Sequence, residues 1–282
     1  MNQLNKEIFI NLSLIIASYK GINKLPFLLE SIEKGTRIPK EIIIVHTCHD
    51  NYTELIKEYN KLNIILIKSD KMNQVFQRKL GINKANYDFI MQLDDDIIIN
   101  KLMFEIIFDN IKNDYKNKII SANILTKNNL PADIRWVENY NKNFLFKFLI
   151  FFLNGFQAVN GNIVLKSGRP VPEILQTKKY QWLNSSLCFH RSSIEDYISF
   201  NIDGKSFYED VYTSHNFFMR GYRLYKIKKA IITHPVTDKM NFILHCKTIK
   251  NQYRIVKDFK KSKILFLIDA FLFSIIFLIR KN

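Results

Sequence analysis

The sequence predicts an α/β protein with a mostly parallel central sheet flanked by helices. Three observations predict it. Short β-branched apolar runs recur at near-regular intervals through the first third of the chain. Segments with helical periodicity separate them. A cluster of carboxylates stands directly after one run, at the place where ligands bind in open parallel sheets.

The runs cover residues 12–17, 41–47, 64–68 and 89–93. Each is nearly continuous rather than alternating, the pattern of a strand buried on both faces. Between them, Leu25, Leu28, Leu29 and Ile32 fall on one helical face, and Leu55, Ile56 and Tyr59 on another. Val75, Leu80 and Ile82 lie on a third helical segment. Alternating strands and helices imply parallel strands joined by right-handed crossovers. Further on, residues 101–112 and 210–219 read as helices, and 119–124 and 186–190 as strands. Residues 144–153 form an aromatic, apolar run with Lys147 inside it, too short to span a bilayer.

With 282 residues, the chain is long enough for one large α/β domain with an appended tail. Its apolar fraction of 47% excludes a disordered chain. The net charge of +16 calls for a negatively charged neighbour: nucleic acid, anionic lipid or phosphate-bearing substrates. Three scattered cysteines, Cys48, Cys188 and Cys246, argue against a disulfide framework and for a reducing compartment. Residues 1–11 lack the basic-then-apolar order of a signal peptide, so a cytoplasmic location is expected.

The tail has its own character. Lys247, Lys250, Arg254, Lys257 and Lys261 line one helical face, and Ile249, Tyr253 and Val256 another. Residues 264–279 are nearly all apolar, interrupted by Asp269 and Ser274 and closed by Arg280 and Lys281. A spanning helix needs about 20 apolar residues. This run is shorter and carries a charge, which favours a helix lying in the membrane interface, peripheral at the inner face of the cell membrane, over one that packs on the domain or on another subunit.

Asp94, Asp95 and Asp96 directly follow the run at 89–93. Adjacent carboxylates repel one another unless a cation neutralises them. Mg²⁺ and Mn²⁺ take oxygen ligands and share their coordination with substrate phosphates, so the trio reads as a metal–diphosphate clamp. A second acidic pair, Glu209-Asp210, precedes a helix that ends at Arg220-Gly221-Tyr222-Arg223.

These motifs resemble, in order and spacing over about residues 10–240, the family-2 inverting glycosyltransferases, which have a Rossmann-like GT-A fold. The resembling parts are the first strand with Ala17, Ser18 and Tyr19 after it, then Arg78 before Gly81-Ile82, and Asp94 and Asp96 as the Asp-x-Asp motif. An aromatic segment from Trp182 to Arg191, Glu209-Asp210, Gly221 and His234 follow. The resemblance implies a glycosyltransferase domain over residues 1–240, with a nucleotide-sugar half at 1–125 and an acceptor half at 126–240. Residues 241–282 are left as the basic and hydrophobic helical tail.

By the same resemblance, Asp210 is the general base. Asp96, with Asp94 and His234, holds a divalent metal, Mn²⁺ or Mg²⁺. Ala17, Ser18, Tyr19, His46, Arg78, Asp94 and Asp95 bind the donor, a UDP-sugar, and Trp182 and Glu209 the acceptor. The membrane-directed tail makes a saccharide or lipid-linked sugar, in cell-surface polysaccharide synthesis, the expected acceptor. The sequence departs from the family pattern at His46, where an aspartate ordinarily reads the base.

A metal-dependent nucleotidyltransferase would share the sheet and the carboxylates. It would more typically show a Gly-rich basic loop after the first strand, whereas residues 18–21 hold one glycine. A nucleic-acid-binding protein would use the charge but leave the acidic motifs unexplained, so no nucleic-acid partner is expected.

Overall fold

In a computed structural model, the described residues are 8–19, 21–47, 52–130, 144–154, 163–171, 176–177, 181–197, 208–234 and 242–281. The chain divides into two compact units. The first comprises Met1–Ala132, Leu183–Ser206 and Asn216–Thr237, and the second Asp133–Trp182, Phe207–His215 and Asp238–Asn282. The tail shares a unit with residues far before it, and a buried ion pair described below joins the two.

The first unit carries the sheet. Its strands are β1 (Phe9–Ser18), β2 (Ile38–His46), β3 (Ile64–Lys68), β4 (Phe89–Asp94), β5 (Ile98–Ile99), β6 (Lys118–Thr126), β7 (Leu187–His190) and β8 (Arg223–His234). Their order is β3-β2-β1-β4-β7-β6-β8-β5. β1 pairs in parallel with β2 and β4, and β2 with β3. β7 runs antiparallel to β4 and β6, and β6 parallel to β8. Several strands extend beyond the apolar runs that predicted them, since backbone pairing continues where side chains reach the sheet's rim.

Helices α1 (Leu25–Glu33), α2 (Tyr52–Lys57), α3 (Gln74–Lys84) and α4 (Met103–Ile111) belong to this unit. The predicted face of α1 is fully buried, as are Leu14, Ile16, Ile42, Ile44, Met91 and Leu93 of the central strands. Each such side chain contributes about 1.5–3 kcal/mol relative to exposure. On α3, Val75 and Ile82 are buried and Leu80 half-buried, but the buried face also takes in Gln77 and Arg78. Because β1, β2 and β4 are parallel, Ser18, His46 and Asp94 end on one edge: Ser18 is registered with His46 and Ala17 with Asp94.

The far end of β8 is brought to that edge by an irregularity. Its pairing with β6 jumps from Ile227 opposite Ala122 to Ile231 opposite Asn123. Beyond the jump, Thr233 and Ile232 pair with Ile98 and Ile99 of β5, which follows the carboxylate turn at once. A bulged strand bends and twists, and here the bend delivers His234.

The second unit contains α5 (Phe144–Asn154), α7 (Phe242–Asp258) and α8 (Lys263–Lys281). α6 (Glu209–Met219) begins in the second unit and ends in the first. α6 closes with Gly221 at φ +85°, Tyr222 N–H donating to Phe217 O at 3.0 Å and Gly221 N–H to Phe218 O at 3.0 Å. This is a Schellman stop, and it explains the glycine there. On α7 the buried residues are Asn251, Gln252, Ile255 and Val256, so the predicted face is shifted, and Tyr253 is exposed.

Asp269 does not face solvent. It is fully buried on α8, where Arg169 donates from Nε at 3.1 Å and from a terminal nitrogen at 2.8 Å. Gln252 donates to it at 2.8 Å, and Phe273 lies 3.5 Å beneath the guanidinium. Removing one member of a buried pair costs about 3–5 kcal/mol, whereas replacing both by apolar groups is often neutral. Asp269→Leu should therefore lose stability of that order in denaturant titration, and Arg169→Met with Asp269→Leu should recover most of it. Equal losses in both would show that the pair does not act as a unit.

Candidate active site

The carboxylates at the end of β4 have three different surroundings. Asp94 accepts from Arg78 at 2.6 Å and Gln74 at 3.0 Å on one oxygen, and from Ser185 at 2.7 Å on the other. Arg78 is 1% exposed and lies on α3, so the strand end is bonded to the helix behind it. Ser185 is held in place by its neighbours. Asn184 donates to Ala122 O at 2.8 Å, and Ser186 accepts from Ala122 N–H at 3.1 Å. Gln77 donates to Ser18 O and Val45 O at 3.0 and 2.7 Å, clamping the ends of β1 and β2.

Asp95 accepts from Ser18 Oγ at 2.6 Å. Ser18 Oγ is also 3.0 Å from Tyr52 Oη, and the Tyr52 ring stacks on His46 with centroids 4.3 Å apart. His46, at the expected base-reading position, is thus linked to the carboxylates through Tyr52 and Ser18. Gly21 is required by proximity: a Cβ there would lie 1.8 Å from Asp95 Oδ2. Tyr19 is about half exposed beside this loop.

Asp96 points the other way. One oxygen is 3.2 Å from His234 Nε2 and the other 3.3 Å from Lys24 Nζ. Among the described residues, no group of three or more His, Cys, Asp or Glu is arranged to hold a metal ion. Of the expected ligands, Asp96 lies beside His234, and Asp94 is turned to Arg78. Two protein ligands still suit Mg²⁺ or Mn²⁺, which commonly take one or two carboxylates and fill the remaining positions with water and phosphate oxygens. Lys24 marks the cationic charge that Asp96 draws.

The surroundings drive the two neighbouring carboxylates apart. Burial, aided by the charges of Asp96 and Asp94, outweighs the Ser18 hydrogen bond and raises Asp95 to about 6. Burial also pushes Asp96 upward, but the His234 hydrogen bond and charge, with the Lys24 ammonium, hold it at about 2.

Trp182, Glu209 and Asp210 belong to the second unit. Trp182 Nε1 donates to Val171 O at 2.8 Å. Glu209 is buried in the first turn of α6, and Asp210 accepts from the Val211 N–H at 2.9 Å. Tyr52, Gln74, Gln77, Lys24 and Ser185 were not anticipated. The one legible signal was on α3, where Arg78 shares a helical face with Val75 and Ile82, an odd place for a solvated charge.

A doubly wound sheet with carboxylates at the carboxyl end of a central strand, and a histidine brought to them by the last strand, defines a GT-A-type α/β protein. A sequence model of the family described as Glycosyl transferase family 2 matches residues 13–169, more than half of the chain, and the protein belongs to that family. It is 37% identical over 86 residues to an uncharacterized glycosyltransferase, YwdF, of Bacillus subtilis (strain 168). That match spans 30% of this chain and 32% of the relative.

Among solved structures, S. aureus TarS 1–349 in complex with UDP-GlcNAc is similar at TM-score 0.55 and 14% identity, over 88% of this chain and 66% of that one. GalNAc-T7 with UDP, GalNAc and Mn²⁺ is similar at TM-score 0.59 and 15% identity, over 89% of this chain and 48% of that one. The chain thus spans about a third of the curated relative and less than two thirds of GalNAc-T7. Likeness at such low identity establishes the shared fold.

The shift of Asp95 has a stability consequence in metal-free protein. The unfolded chain releases this proton near 3.8, the folded protein near 6. Between those values the folded state holds the extra proton, so stability falls as pH rises through the window, by about 3 kcal/mol in all for two pH units. Asp96 acts lower, contributing stability that is lost as pH falls from 3.8 toward 2. Asp95→Asn should flatten the slope between pH 4 and 6 in denaturant titrations. An unchanged slope would assign it to another group.

Proposed function

We propose that the chain is an inverting glycosyltransferase that moves a sugar from a nucleoside-diphosphate sugar, a UDP-sugar, to a hydroxyl of a saccharide or lipid-linked acceptor in cell-surface polysaccharide synthesis. The observation that carries the reading is the disposition of the β4 carboxylates: Asp94 tied into the fold by Arg78, Gln74 and Ser185, and Asp96 presented beside His234. Buried ties of this kind hold a site to the geometry that transition-state stabilisation requires.

Asp96 and His234 would hold a divalent ion, Mn²⁺ or Mg²⁺, with Asp94 supporting them. Such an ion supplies charge neutralisation for a departing diphosphate. Ala17, Ser18, Tyr19, Arg78 and Asp95 are assigned to the donor side. His46, stacked on Tyr52, replaces the aspartate of the family pattern and is assigned to the base. Trp182 and Glu209 are assigned to the acceptor.

Asp210 is the proposed base. The acceptor hydroxyl oxygen forms a bond to the anomeric carbon as the bond to the diphosphate oxygen breaks. The proton passes to the Asp210 carboxylate, and the bonding pair leaves with the nucleoside diphosphate. One displacement inverts the anomeric centre, through an oxocarbenium-like transition state. The basic and apolar tail is assigned to the inner face of the cell membrane, where a lipid-linked acceptor would be met.

Donor turnover should require a divalent ion, and Asp96→Ala should abolish it in a protein that still unfolds in one cooperative transition, at a midpoint lowered by the lost contacts to His234 and Lys24. Full activity in excess chelator, or in the variant, would remove the assignment. Asp210→Asn should bind donor normally and transfer about 10²–10⁴-fold more slowly. Wild-type transfer rates in that variant would place the base elsewhere.

A further inference from the structure

The second unit exposes more apolar surface than the tail alone. On α8, Ile264, Leu267, Ile268, Phe271, Ile275 and Leu278 are exposed, and their spacing follows one helical face. The opposite face carries Phe266, Asp269, Phe273, Ser274 and Phe277. There, Arg169 takes the carboxylate, and His245 bonds the Ser274 hydroxyl at 3.0 Å and stacks on Phe277. Asp269 therefore leaves the outward face free of acid.

Helix α5, which packs against α8, repeats the pattern. Phe144, Leu145, Phe148, Phe151 and Phe152 are exposed at helical spacing, Phe144 at 83% and Phe152 at 67%, while Ile150 is buried. Contiguous apolar surface of this kind on a folded protein marks an interaction site.

We propose that α5 and α8 together form a single face that inserts into an anionic lipid surface, resting on the reading that the tail meets the membrane. Lipid fits better than another occupant for two reasons. Exposed cations stand on α5 (Lys147), on α7 (Lys250 and Lys257), in the turn after it (Lys260) and at the start of α8 (Lys263); they match anionic headgroups, and the whole chain carries +16. At 19 residues, about 28 Å of helix, α8 is long enough to lie along the interface. None of the described helices is long and apolar enough to cross a bilayer, which leaves lying in the interface as the mode of contact. The aromatic run at 144–153 thereby acquires a role.

The test is co-sedimentation of the full chain with vesicles of phosphatidylcholine, and of equimolar phosphatidylcholine and phosphatidylglycerol, at low and molar salt. Binding should favour the anionic vesicles, weaken in salt and persist there. Phe148→Ser with Phe152→Ser on α5, and Leu267→Ser with Phe271→Ser on α8, should each lower the partition coefficient about tenfold, with unfolding curves unchanged because all four side chains are exposed. Loss with the α8 pair but wild-type binding with the α5 pair overturns the two-helix face and leaves the tail reading standing. A wild-type protein that stays in the supernatant with both vesicles overturns both. Self-association that the same substitutions abolish, without vesicle binding, makes the face a contact between copies and overturns the lipid assignment.

Discussion

The contact on which the candidate site depends is the ion pair between Arg78 and Asp94, 2.6 Å long with the guanidinium almost wholly buried. A charge in that position is tolerated only when paired and hydrogen-bonded. The pairing fixes where β4 ends relative to α3. From that anchor the rest follows: Asp95 turns to Ser18, and Asp96 turns to His234 and Lys24. Without it, Asp94 would keep only the hydrogen bonds of Gln74 and Ser185, and the buried guanidinium of Arg78 would lose its carboxylate.

Much of this was legible in the sequence, and the reason is periodicity. The buried parallel strands announce themselves because both faces are apolar, and α1 because its four buried leucine and isoleucine side chains keep helical spacing. The sites at strand ends follow from topology. Tyr52, Gln74 and Ser185 were not legible. They are ordinary polar residues that meet Ser18 and Asp94 through contacts distant in sequence, which no local pattern records. Two-residue β5 and the break in β8 were hidden for a related reason, since pairing across a bulge leaves no alternation to read.

Asp269 has a role that its sequence context does not show. In sequence it interrupts an apolar run, and that interruption argued against a spanning helix. In the fold it faces Arg169 and Gln252, so it orients α8 rather than polarising it. A charged residue inside an apolar helix is ambiguous until its partner is known, and here the partner lies 100 residues away. The same pair joins the tail to an earlier segment of its unit.

In the proposed reaction the turn after β4 would receive a divalent ion and a nucleoside diphosphate, with Asp96 and His234 as the protein's ligands. Anomalous diffraction from crystals grown with Mn²⁺ and UDP tests it most directly. A manganese peak is expected within bonding distance of the Asp96 carboxylate and the His234 imidazole, with Asp94 still on Arg78. A manganese ion bound to UDP elsewhere on the chain, or one that draws Asp94 away from Arg78 while leaving Asp96 on Lys24, would contradict it.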